Sequence, residues 1–131
     1  MRMELQRIVE KIMDEIDDAE AVLFATTDGL PVVFESRFNP DIVERLAALS
    51  AMLYSVSNRA ANLAEVGEFE SLELTTTYGK MFIYHTAQDL FLTILTSKET
   101  NIGLVHVVVK DICRRYREVL RHEIGEDNGA S

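Results

Sequence analysis

With 131 residues, 47% of them hydrophobic, the chain is long enough to bury one substantial core and matches the size of one ordinary domain. Its formal charge of −9 argues against a general nucleic-acid or anionic-membrane binder, which needs a net basic surface. A single cysteine, Cys113, excludes a disulfide framework within the chain, and the acidic, amphipathic N-terminus lacks a signal peptide's apolar run, so the cytoplasm is the expected compartment.

Leu5, Ile8, Val9, Ile12, Met13 and Ile16 recur at helical spacing opposite Glu4, Arg7, Lys11 and Asp14, which predicts a first amphipathic helix. Asp14, Glu15, Asp17 and Asp18 crowd its end with the wrong sign for a helix C-terminus, so a basic neighbour or solvation is expected to compensate. Residues 21–26 (AVLFAT) are apolar on both alternations, the pattern of a central strand covered on both faces. Thr27, Asp28 and Gly29 supply a turn into a second strand at residues 30–35, whose Pro31 suggests a sheet edge.

Asn39 reads as an N-cap, Pro40 as the first helical residue and Asp41 as a favourable first-turn charge of a long helix. Between residues 46 and 64 that helix carries one charge, Arg59, and neither Gly nor Pro. One stripe holds Ile42, Leu46, Leu49, Leu53, Val56, Ala60 and Leu63, with Met52 at its margin, and is expected to face a sheet. The other holds Ala47, Ala51, Tyr54, Ser55, Asn58 and Asn62, small or polar but uncharged, and is expected to meet a partner protein. A membrane span fits poorly, because Ser, Asn and Arg59 interrupt the run and Ala replaces larger apolar residues.

Gly67 is expected to end the long helix, and residues 71–77 (SLELTTT) to form a half-wet strand with Leu72 and Leu74 inward and Glu73 and Thr75 outward. Turns at Tyr78-Gly79 and at residues 87–89 make a meander with strands at 80–86 and 90–96, the last again apolar on both alternations. Asn101 can cap a final helix to about residue 124, with Ile102, Val105, Val109, Ile112, Tyr116 and Leu120 along one stripe and Lys110, Arg114, Arg117 and Arg121 along a second. That basic stripe can be a solvated face, meet the acidic end of the first helix, or bind an acidic partner or lipid headgroups. The expected domain is 1–124, followed by a flexible acidic tail at 125–131.

The order of elements predicts an α+β fold, a five-stranded antiparallel sheet with the long helix on one face and both terminal helices on the other. Chemistry is sparse. The six glycines are scattered, so no phosphate loop is present, and His85, His106 and His122 lack metal-ligand spacing. Cys113 beside the apolar stripe reads as a buried, inert thiol, and Glu73 as an edge residue that discourages aggregation. No catalytic group, metal or cofactor is expected.

In this order, LFATTDGLPV (23–32), the LAALSA run (46–51), TTYGKMFIY (76–84) and NIGLV (101–105) resemble the Roadblock/dynein-light-chain family over residues 5–124. The resemblance implies a non-enzymatic dimer whose third strands join into one sheet and whose long helices form a platform. It is similar to the prokaryotic members that regulate Ras-like GTPases by promoting hydrolysis or exchange. The residues expected at the dimer interface are Ala47, Ala51, Ser55, Leu72, Glu73, Leu74, Thr75 and Thr76; those expected to touch the GTPase are Tyr54, Asn58, Arg59 and Asn62. A scaffold subunit of a dynein-type or membrane-associated complex, without effect on GTP turnover, and a small-molecule sensor are the alternatives.

Overall fold

Two strands that bury both alternations set the architecture, because each must be covered by helices above and below. The structure, a computed structural model, describes residues 2–121. Its elements are α1 (Arg2–Glu15), β1 (Ala19–Thr26), β2 (Pro31–Ser36), α2 (Pro40–Leu63), β3 (Ser71–Thr75), β4 (Gly79–Ala87), β5 (Leu90–Ser97) and α3 (Ile102–Arg115). The sheet is antiparallel in the order β2-β1-β5-β4-β3, with the doubly apolar β1 and β5 inside and Pro31 on an edge strand.

Side-chain alternation then divides the interior into two layers. Val22 and Phe24 of β1, with Phe82, Leu92 and Ile94, pack against Leu5, Ile8 and Ile12 of α1 and Val105, Val109 and Ile112 of α3. Leu23 and Ala25, with Met81, Ile83 and Phe91, form the layer under α2. The predicted placement of one helix against two is therefore observed.

Local sequence explains most boundaries. The Asn39 side chain accepts from the Ile42 amide at 3.0 Å, and that of Asn101 from the Leu104 amide at 3.1 Å, so both predicted caps form. Gly29, at φ +92°, closes the β1–β2 turn directly against α2: a Cβ there would lie 3.3 Å from the Ala48 Cα.

Three expectations require correction. α2 stops at Leu63, and the chain reverses through Glu65 at φ 56°, not at Gly67, which lies in the following loop. α3 ends at Arg115 with an irregular Tyr116, and helical geometry resumes over 117–121; the rest of the predicted helix and the tail at 125–131 lie outside the described residues. The third correction is larger. The face of α2 that meets the sheet is the small one: Val43, Ala47, Ser50 and Ala51 are its buried residues, while Leu49 is 56% exposed, Met52 and Val56 64% and Leu63 88%. The sheet beneath already supplies Leu23, Ile83 and Phe91, and bulky side chains below leave room only for small ones above.

Candidate functional site: an apolar helix flank beside an open sheet edge

α2 lies over β1 and β2, with its Ala48 flank against the β1–β2 turn. The opposite flank, through Leu46 and Leu53, reaches the cluster that includes Leu72 and Leu95, so it overlooks the β4–β3 half of the sheet. Above that flank Ile42, Leu49, Met52 and Val56 are exposed, and at its foot Leu74 is 42% exposed. β3 is the last strand of the sheet, so its outer edge is unpaired among the described residues. Exposed apolar side chains on a helix flank, with a bare strand at the edge of the same sheet, make this surface the candidate for an interaction site.

The individual site residues divide sharply. Ala47 and Ala51, expected at a subunit seam, are 0% and 8% exposed and pack against the sheet of their own chain. Tyr54 is not an exposed anchor either. Its ring meets Phe69 edge-on at 5.2 Å and stacks on His85 at 5.7 Å and Phe91 at 6.1 Å, tying α2 to the sheet. The Asn58 side chain accepts from the Phe69 amide at 3.4 Å, holding the loop that leads into β3. By contrast Ser55, Arg59 and Asn62 are exposed on the polar flank of α2, and Glu73, Leu74, Thr75 and Thr76 are exposed at the sheet edge, with Leu72 half-buried. Ile42, Leu49, Met52, Val56 and Leu63 are the surface residues that sequence reasoning assigned to the interior. The signal that identifies them is volume: a sheet face already filled by Leu, Ile and Phe calls for an alanine stripe above it.

β3 is held by a polar chain from the other side of the sheet. Leu72 and Leu74 point toward the α2 layer as expected, so Glu73 points toward α3, where its carboxylate lies 3.3 Å from Nε2 of His106. The Tyr84 hydroxyl lies 2.7 Å from Nδ1 of the same ring. Burial, reinforced by the charge of Glu73 and by Cys113, pushes the Tyr84 phenol well above its usual range, so its O–H keeps its proton beside the His106 ring. The His106 ring bridges the Tyr84 hydroxyl and the Glu73 carboxylate. Glu73 thus has a second role beyond guarding an edge. Burial likewise pushes the half-buried Cys113 thiol up, which lowers its thiolate fraction and its reactivity.

Among the described residues no three His, Cys, Asp or Glu side chains converge on a metal site, and no helix is long and apolar enough to cross a membrane. The basic stripe of α3 does not pair with the acidic end of α1: among the described residues, Arg114 and Arg115 bridge to Asp111 of their own helix at 3.3 and 2.6 Å.

Comparison with known proteins places this architecture. The Roadblock/LC7 domain family matches residues 6–96. Among solved structures, a Roadblock/LC7 domain from Streptomyces avermitilis superposes with a TM-score of 0.81 at 16% identity, covering 88% of this chain and 96% of that one. MglB of Myxococcus xanthus gives 0.81 at 15% identity, covering 88% and 94%, and the gliding protein MglB of Thermus thermophilus gives 0.73 at 15%, covering 82% and 81%. No curated protein sequence matches the chain. The family match spans most of the sheet and all of α2, and the superpositions reproduce the same fold, so this chain belongs to the Roadblock/LC7 domain family.

Proposed function

We propose that the protein acts as a non-enzymatic homodimer that serves as a platform for a small Ras-like GTPase and modulates its nucleotide hydrolysis or exchange. The observation that carries the dimer is the contiguity of two unsatisfied features, the exposed apolar flank of α2 and the bare edge of β3. A two-fold axis beside β3 satisfies both at once: the Leu72–Leu74 edges pair, and each α2 lays Leu49, Met52 and Val56 against its mate over the open half of the sheet. Ala47 and Ala51 serve that seam only indirectly, by seating the helix.

The GTPase reading rests on the family, whose prokaryotic members use paired long helices in this way. On this chain the polar flank of α2, with Ser55, Arg59 and Asn62, stays exposed beside the proposed seam and is the surface offered to the partner. Tyr54 and Asn58 act behind it by bracing α2 and the Phe69 loop. Arg59 serves as a contact that positions the GTPase and not as a finger into its nucleotide site.

Sedimentation of wild type and Met52→Glu, followed by binding and GTP-hydrolysis measurements with the Ras-like GTPases of the source organism, tests the reading in two stages. A wild-type dimer split by Met52→Glu supports the seam; a wild-type monomer at micromolar concentration sinks it. Arg59→Ala with Asn62→Ala should weaken GTPase binding while the dimer persists. A GTPase that binds with unaltered hydrolysis and exchange would leave a scaffold as the function.

A further inference from the structure

On the face of the sheet opposite α2, a groove of about 1310 Å3 runs between α3 and the wall made by residues 68–71 and the end of β4. Small-molecule pockets usually enclose about 300–1,000 Å3, so this opening is of a size for a polypeptide segment. Its two walls differ in charge. The wall made by α3 and the helical residues 117–121 that follow it carries Lys110, Arg114, Arg117 and Arg121, all exposed, and the facing wall carries Glu68 and Glu70. Of the four cations only Arg114 has an ion-pair partner among the described residues. In a chain with a net charge of −9, a single file of cations along one wall of a cleft is a specific feature. Val107 at the rim is 65% exposed, and Val109 and Leu120 lie at the base.

We propose that this groove docks an acidic amphipathic helix of a partner protein, its carboxylates along Lys110, Arg114, Arg117 and Arg121 and its apolar side chains on Val107 and the groove floor. The spacing supports a helix. Lys110 and Arg114 stand one turn apart on α3, roughly 6 Å at the helical rise of 1.5 Å per residue, and Arg117 and Arg121 repeat that four-residue spacing in the helical residues after Tyr116, which matches carboxylates repeated at the same interval on a helix laid alongside. Charge complementarity selects the acidic class. A lipid surface fits less well, because a flat bilayer does not enter a two-walled cleft. The wall itself is fixed by His106, which ties α3 to β4 and β3 through Tyr84 and Glu73.

The test uses the full chain and two fluorescent helical peptides. One carries Glu at a three- and four-residue repeat with Leu on the adjacent stripe; the other has every Glu replaced by Gln. Fluorescence anisotropy should show the Glu peptide binding at least about tenfold tighter than the Gln peptide, with the difference shrinking as salt rises. Combining Lys110→Glu, Arg117→Glu and Arg121→Glu should weaken the Glu peptide by at least about tenfold, with an unchanged circular dichroism spectrum. Met52→Ser, on the opposite face, should bind it as wild type does. Equal affinity for the two peptides, indifference to the triple reversal, or loss in Met52→Ser would overturn the proposal. Binding to phosphatidylserine vesicles in place of the peptide would overturn it in favour of a lipid surface.

Discussion

Thr93, in the middle strand of the sheet, keeps a fully buried hydroxyl with no hydrogen-bond partner among the described residues, as does Ser50 on the buried face of α2. An unpaired buried hydroxyl costs about 1–3 kcal/mol, whereas a methyl of the same shape costs nothing to desolvate. Thr93→Val should therefore raise the urea midpoint; an unchanged or lower midpoint would show that the hydroxyl is satisfied by water. Tyr84 gives the pH counterpart. An unfolded phenol ionises near pH 10, while the folded Tyr84 keeps its proton to higher pH. This contribution to stability is fully present below about pH 10 and is lost as pH rises further, because the unfolded chain then sheds a proton that the native chain retains. Tyr84→Phe should lower stability by about 1 kcal/mol at neutral pH through the lost bond to His106, yet lose less on moving to alkaline pH. The Cys113 thiol, shifted in the same direction, accounts for part of the slope that remains. Identical alkaline slopes in denaturant titrations of wild type and variant would exclude this role for Tyr84.

At the scale of the element, α2 is a helix whose two faces carry different obligations. The alanine face lets its backbone approach the sheet, and at Gly29 the approach would leave a Cβ in tight contact, 3.3 Å from the Ala48 Cα. Ala47→Leu should therefore destabilise the fold by about 1–3 kcal/mol through overpacking. Met52→Ser, at an exposed position, should change the intrinsic stability of the monomer by no more than about 0.5 kcal/mol while weakening self-association. Chemical denaturation of dilute protein separates the two variants, and the reverse ranking would restore the large-residue face to the core. Glu65 ends the same helix in a left-handed conformation that costs a non-glycine residue roughly 1–2 kcal/mol. Glu65→Gly relieves that strain and should raise the melting temperature; no rise would mean that the glutamate side chain offsets the strain.

For the whole molecule, the exposed α2 flank and the β3 edge give stability a dependence on concentration. Association through them stabilises the native chain by mass action, so the melting temperature should climb as protein concentration increases over two decades. A melting temperature independent of concentration, in a protein that sediments as a monomer, would leave the apolar flank for a different partner.

Sequence alone determined the order of elements, the two helix caps, the central places of β1 and β5, and the two-layer α+β arrangement, because each rests on local periodicity or on one residue's hydrogen-bonding chemistry. Asn39 and Asn101 cap their helices wherever the helices pack, and strands apolar on both alternations require cover on both faces. Which face of α2 turns inward was a tertiary decision. Periodicity in α2 distinguishes a large apolar stripe from a small one, and either can pack on a sheet; the volume already filled by Leu23, Ile83 and Phe91 selected the alanines. That choice moved Tyr54 and Asn58 into bracing roles and put Leu49, Met52 and Val56 on the surface. The Glu73–His106–Tyr84 chain and the basic groove likewise bring together residues far apart in sequence, a proximity that only the packing of α3 across the sheet creates.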